Sequence, residues 1–141
     1  METEFITYKQ ALALKELGFD EPCFGYYLCK NSAFGIYLEI TLNWFDLLPY
    51  DSSSCKAPLK QQAFRWFRDK YQLFYTIETN CSQLSFEWGF DYTIFDKEND
   101  KWLSTEPQNC PPGETTYVTY EEAESACIDK LIEIVKNNLD K

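Results

Sequence analysis

Arg65 and Arg68 are the only arginines in a 141-residue chain whose formal net charge is −10, and they stand on either side of Trp66 and Phe67 in the stretch APLKQQAFRWFRDKY, residues 57–71. A guanidinium is a planar fork of donors that fits a carboxylate or a phosphate. Residues three apart on a helix are neighbours, so this pair could hold one acidic group between them. The rest of the chain sharpens the contrast. Residues 56–75 carry five cations and one acid, whereas residues 1–55 carry eight acids and three lysines, and residues 76–141 carry fourteen acids and five lysines. An acidic surface repels phosphate backbones at long range, which argues against general nucleic-acid binding and leaves the basic island for an acidic partner or a single phosphate.

The other reactive side chains form no catalytic set. There is no histidine, which removes the commonest general base and the usual activator of a Ser or Cys nucleophile. Catalysis would have to rest on carboxylates, lysine or tyrosine. The stretch DKENDK, residues 96–101, offers Asp96, Glu98 and Asp100, but lacks the glycine and terminal glutamate of a calcium loop and reads as a solvated hairpin tip. Cys23, Cys29, Cys55, Cys81, Cys110 and Cys127 include no C-x-x-C spacing, so no zinc site is expected. Cys127 reads as a core thiol, and Cys55 and Cys110 as loop thiols open to reagents. The five glycines are scattered singly, which leaves no phosphate-cradling loop. No catalytic residue, metal ligand or cofactor is assigned.

These groups depend on the elements that carry them. Residues 58–71 have helical periodicity, with Pro58 suited to the first position. On a wheel, Leu59, Ala63, Trp66 and Phe67 share the inner side, Phe64 and Tyr71 lie at its margin, and Gln61, Arg65 and Arg68 form an outward strip. Arg65 can also pair with Asp69 one turn later, as on an ordinary solvated helix face. An earlier helix is expected over residues 8–17, opened by a Thr7/Gln10 capping box and closed at Gly18, with Phe19 packing back on Leu14. A last helix opens with Thr119 and Glu122 at the same spacing, and places Ala123, Cys127, Ile128, Leu131, Ile134 and Val135 on one face.

Between the helices, CFGYYLCKNSAFGIYLEITLNWF reads as a β-hairpin turning at residues 30–32, and DLLPYDSSSCK as loop. YQLFYTIETN and LSFEWGFDYTIF read as strands turned near residues 80–82, with KWLS as a short further strand. The Pro-rich segment 104–116 reads as loop. With 45% hydrophobic and 18% aromatic residues, residues 1–141 are expected to form a single α+β domain: an antiparallel sheet of four to five strands covered by three helices, in the order α-β-β-α-β-β-(β)-α. The start METEFITYKQ has no secretory pattern and the apolar runs are too short to span a bilayer, so a cytoplasmic protein with reduced thiols and no membrane association is expected.

Three stretches, TYKQALALKELGFDEPCFGYY, APLKQQAFRWFRDKY and TYEEAESACIDKLIEIVK, together resemble a group of small uncharacterised proteins of bacteriophages and mobile elements of gut bacteria. They cover the three helices and the first strand, about half of the chain, and leave out residues 72–116. The resemblance implies phage or mobile-element origin and expression in a host cytoplasm. It supplies no activity and no site residues. The residues themselves point to a non-enzymatic protein-interaction protein, contacting a host or phage protein through Gln61, Phe64, Arg65, Arg68 and Tyr71. Two alternatives stand beside it: an acidic inhibitor or nucleic-acid mimic that blocks a host nucleic-acid-binding protein, and a small enzyme or nucleotide-binding protein.

Overall fold

In the computed structural model, which describes residues 2–29, 35–41, 54–81, 88–104 and 117–141, the chain runs α1 (Tyr8–Glu16), β1 (Gly25–Cys29), β2 (Ile36–Ile40), β3 (Cys55–Ala57), α2 (Lys60–Tyr71), β4 (Leu73–Cys81), β5 (Trp88–Asp96), β6 (Lys101–Ser104) and α3 (Tyr120–Leu139). The fold is α+β. Among the described residues the strands form two three-stranded antiparallel sheets, ordered β2-β1-β3 and β4-β5-β6. The expected single sheet of four to five strands is therefore corrected, and so is the element order, which gains β3 before α2. The chain divides into two compact units, Met1–Ala63 and Phe64–Lys141.

In the first unit the start and stop of α1 follow from local chemistry. Thr7 Oγ1 accepts from the Gln10 N–H at 3.3 Å, and Gln10 Oε1 accepts from the Thr7 N–H at 2.9 Å. This reciprocal box satisfies donors that the first helical turn leaves without partners. At the other end Gly18 takes φ 83°, the Phe19 N–H reaches Leu14 O at 2.9 Å, and the Gly18 N–H reaches Lys15 O at 3.1 Å. That is a Schellman closure, and it turns Phe19 back into the core.

The hairpin expected after it is present as β1 and β2, paired from Gly25–Ile40 to Cys29–Ile36. Its expected turn at residues 30–32 lies outside the described residues. What the sequence did not announce is β3, at the end of the stretch read as loop, which pairs with β1 on the side opposite β2. A three-residue strand of Cys55, Lys56 and Ala57 has no periodicity to detect, and only its distant partner makes it a strand. Lys56 Nζ, 2.7 Å from Asp20 Oδ1, and Lys15 Nζ, donating to Ser54 O at 3.0 Å, tie it to the α1 end of the unit. Cys55 is consequently buried, and burial raises its thiol above the ordinary value. It is not the open loop thiol expected, while Cys110 lies outside the described residues.

Pairing also moves the start of α2. The Ile6 N–H donates to Pro58 O at 3.2 Å, and Leu59 forms a bridge with Phe5. Residues 58 and 59 are thereby held extended, and the helix begins at Lys60 rather than at Pro58. Gly25 is required where β1 passes Phe5 and Ala57: a Cβ there would lie 2.5 Å from Ala57 O and 2.6 Å from the Phe5 ring.

In the second unit Gln72, at φ 55°, ends α2 by donating its N–H to Arg68 O at 3.1 Å and starts β4. Strands β4 and β5 pair over their whole length, from Leu73–Asp96 to Cys81–Trp88, and β6 pairs with β5 from Thr93–Ser104 to Asp96–Lys101. Leu73, Tyr92, Ile94 and Asp96 are buried on one face. There Tyr75 stacks on Phe64 with ring centroids 3.6 Å apart, and Phe90 meets Tyr120 of α3 edge-on at 5.8 Å. The hairpin tip is solvated only in part. Residues 97–100 are exposed, but Asp96 is buried and accepts from the Asn99 N–H at 3.2 Å and from Asn99 Nδ2 at 2.6 Å. The Pro-rich segment is, from residue 105 to 116, outside the described residues.

Helix α3 repeats the capping box with Thr119 and Glu122. Ala123, Cys127, Ile128, Leu131 and Val135 are buried as the wheel requires, but Ile132 and Glu124 join them while Ile134 stays half-exposed. The buried stripe is thus rotated relative to the one read from hydrophobicity, toward the side of Glu124 and Ile132.

Candidate interaction surfaces

The helix α2 sorts its side chains sharply. Ala63, Phe64, Trp66 and Phe67 are buried, whereas Gln61, Arg65, Arg68, Asp69 and Lys70 are exposed. Trp66 meets Phe67 and Tyr71 edge-on at 5.1 and 5.3 Å, so the inner side of the helix is an aromatic cluster with few free torsions. Lys70 Nζ lies 4.8 Å from the centroid of the Trp66 ring, within cation–π range. Arg68 Nε is 3.2 Å from Asp69 Oδ1.

The five residues singled out in the sequence therefore divide. Gln61, Arg65 and Arg68 are exposed, and Tyr71 is half-buried at the end of the helix. Phe64 is only 3% exposed and stacked on Tyr75, which makes it a structural anchor and takes it out of any contact surface. The wheel placed it at a margin; the sheet beneath pulled it inside.

A second surface was not read from the sequence. Strand residues alternate between faces, so Phe74, Thr76 and Glu78 of β4 share the face opposite the buried one with Asp91, Thr93 and Phe95 of β5 and Trp102 of β6. The register sets them in rows across the sheet. Phe74 stands opposite Phe95, and Phe95 opposite Trp102, with the Phe95 and Trp102 rings 4.9 Å apart. In the next row Thr76 Oγ1 and Thr93 Oγ1 are hydrogen-bonded at 2.6 Å. The row beyond sets Glu78 directly opposite Asp91. Trp102 is 64% exposed, and Thr76 and Glu78 are exposed as well. The alternation in LFYTIET was visible in the chain, but which residue of β5 or β6 faces which was not.

A cleft of about 110 Å³ lies among Tyr71, Leu73, Asp96, Glu98, Val135, Asn138 and Leu139. Sites for cofactors and drug-sized ligands run to roughly 300–1,000 Å³, so this one is too small for a nucleotide. Among the described residues no group of three or more Cys, Asp or Glu is arranged to hold a metal ion, and no helix is long and apolar enough to cross a membrane. Burial raises the thiols of Cys23 and Cys127, the opposite of what a nucleophilic cysteine needs. No family model matches the chain, and no curated protein or solved structure matches it.

Proposed function

We infer that this chain is a non-enzymatic interaction protein, encoded by a bacteriophage or mobile element and acting in the host cytoplasm, and that its partner is a host or phage protein engaged by the outward side of α2. The observation that carries the reading is the division of that helix. Trp66 and Phe67 lock its inner side, while Arg65 and Arg68 are exposed on a rigid element in an otherwise acidic chain. The helix backbone that carries them needs no ordering on docking, and arginine is among the residues enriched at interface hot spots. Gln61 and Tyr71 extend the surface at either end of the helix, and the partner offers carboxylates or another acidic group to the guanidinium forks.

The test is the double variant Arg65→Ala/Arg68→Ala in a pull-down from host lysate, with circular dichroism as the folding control. Loss of a partner that the wild type retains, with the fold intact, is the expected result. Retention of every captured protein refutes the reading, because truncating a hot-spot arginine weakens binding by about 2 kcal/mol or more.

A second reading draws on the charge of residues 76–141, fourteen acids against five lysines, which include Glu78 and Asp91 facing each other. An acidic inhibitor would occupy a nucleic-acid-binding groove by presenting carboxylates in place of phosphates. Captured proteins would then be displaced by DNA and by salt, and the arginine variant would capture them as well as the wild type.

A further inference from the structure

Glu78 and Asp91 stand directly opposite each other on adjacent strands, on one face of the sheet. Like charges so placed oppose strand pairing. A sequence that keeps a local conflict of this kind commonly does so at a functional site. On the same face the row of Phe74, Phe95 and Trp102 presents aromatic rings, whose negative π faces attract cations. One cation is already there: Lys97 Nζ lies 6.0 Å from the Phe74 ring centroid, at the outer limit of that interaction. Asp91 is held in place by Asn80, whose Nδ2 donates to Asp91 Oδ2 at 3.0 Å. Between the two rows the hydroxyls of Thr76 and Thr93 offer polar groups to a backbone or to a side chain crossing them.

We propose that this face of the β4-β5-β6 sheet binds an extended basic peptide segment, one cationic side chain lying on the aromatic row and a second between Glu78 and Asp91. Charge complementarity selects the occupant. A nucleic-acid strand would bring phosphates against two carboxylates, whereas an arginine brings a weakly hydrated cation that stacks on rings and forks onto carboxylates. Geometry then sets the spacing. Phe74 and Glu78 are four residues apart on β4, which is about 13 Å at the rise of a β-strand. A segment lying extended along β4 meets both rows when its basic residues are at positions i and i+4. The surface is separate from the outward side of α2, and neither proposal depends on the other.

The experiment measures binding of a dye-labelled peptide with two arginines four positions apart in a Ser/Thr background, by fluorescence anisotropy at low salt, against two controls. One control has glutamine in place of both arginines, and the other has the arginines at adjacent positions. The wild-type protein should bind the first peptide at least about tenfold more tightly than the glutamine control, and the adjacent-arginine peptide should fall between them. Trp102→Ala should weaken binding about two- to fivefold, the range that loss of one cation–π contact at an exposed ring gives. Glu78→Gln/Asp91→Asn should weaken it by a similar factor, and should also reduce its salt dependence. This second variant preserves side-chain shape, and its denaturation midpoint should stay close to or above that of the wild type because relief of the repulsion offsets the weaker hydrogen bond from Asn80. With that midpoint measured, a loss of affinity is not ascribed to unfolding. Arg65→Ala/Arg68→Ala should bind the peptide as the wild type does. Equal binding of the arginine and glutamine peptides overturns the proposal, as does unchanged binding by both sheet variants. Binding of a neutral oligosaccharide at Trp102 without binding of the arginine peptide overturns it equally, since aromatic stacking alone would then account for the surface.

Discussion

Replacing Trp66 by alanine tests the orientation of α2, on which the outward placement of Arg65 and Arg68 depends. The ring is 5% exposed, packed edge-on against Phe67 and Tyr71, with Lys70 Nζ 4.8 Å from its centroid. Truncating a buried aromatic to alanine removes its transfer free energy and leaves a partly collapsed cavity, together about 3–5 kcal/mol. The two edge-to-face pairs are included in that range, and loss of the Lys70 contact adds about 0.5–1 kcal/mol for an exposed cation. Against a total stability of roughly 5–15 kcal/mol for a typical protein this is a large fraction. With an m-value of about 2 kcal/mol/M in urea, the midpoint should fall by about 2 M.

The assay is urea denaturation followed by circular dichroism, with Trp102→Ala as the matched control, because that ring is 64% exposed and its removal should change stability by no more than about 1 kcal/mol. Lys70→Met, made in both backgrounds, should lower stability more in the wild type than once Trp66 is alanine, where the contact with the Tyr71 ring at 5.4 Å remains. A Trp66→Ala midpoint within about 0.5 M of the wild type, under the m-value just used, would place the indole in solvent. The arginines would then face inward, and the contact surface proposed on α2 would be withdrawn.

Gly25→Ala should destabilise by about 1–3 kcal/mol through overpacking, because its new Cβ would meet Ala57 O at 2.5 Å; a midpoint equal to wild type would show that β1 and β3 do not approach so closely. In a brief exposure to iodoacetamide at pH 8, read by mass spectrometry, the half-exposed Cys81 should be alkylated well before the buried Cys23, Cys55 and Cys127, and early modification of Cys55 would refute its place in β3. The thiols of Cys23, Cys55 and Cys127 are all raised by burial from an ordinary 9.0. A raised folded-state value means stability fully present below pH 9 and lost as pH climbs toward the folded values, by about 1.4 kcal/mol per pH unit for each thiol in that window. Denaturation midpoints should therefore agree at pH 7 and 8 and drop at pH 10, and a flat profile to pH 10 would count against three buried thiols.

Much of this protein is legible wherever the cause is local. Thr7 with Gln10, and Thr119 with Glu122, announce their helices because a capping box is closed within four residues. Gly18 announces the end of α1 because few other residues take its conformation freely. The division of α2 into Trp66 and Phe67 inside and Arg65 and Arg68 outside follows from helical period alone, and the structure keeps it. Tertiary structure decided whatever depends on a distant partner. Cys55 to Ala57 became a strand because β1 had an open edge, and Phe64 went inside because Tyr75 of β4 lies beneath it. Ile132 and Glu124 are buried while Ile134 is half-exposed, a choice among neighbouring helix positions that hydrophobicity along the chain does not make. The face carrying Phe74, Phe95, Trp102, Glu78 and Asp91 is the clearest case. Alternation along each strand is written in the chain, but a shift of one residue in register would move every one of these side chains to the other face or to another row, and register is set by pairing between strands, which no local stretch contains.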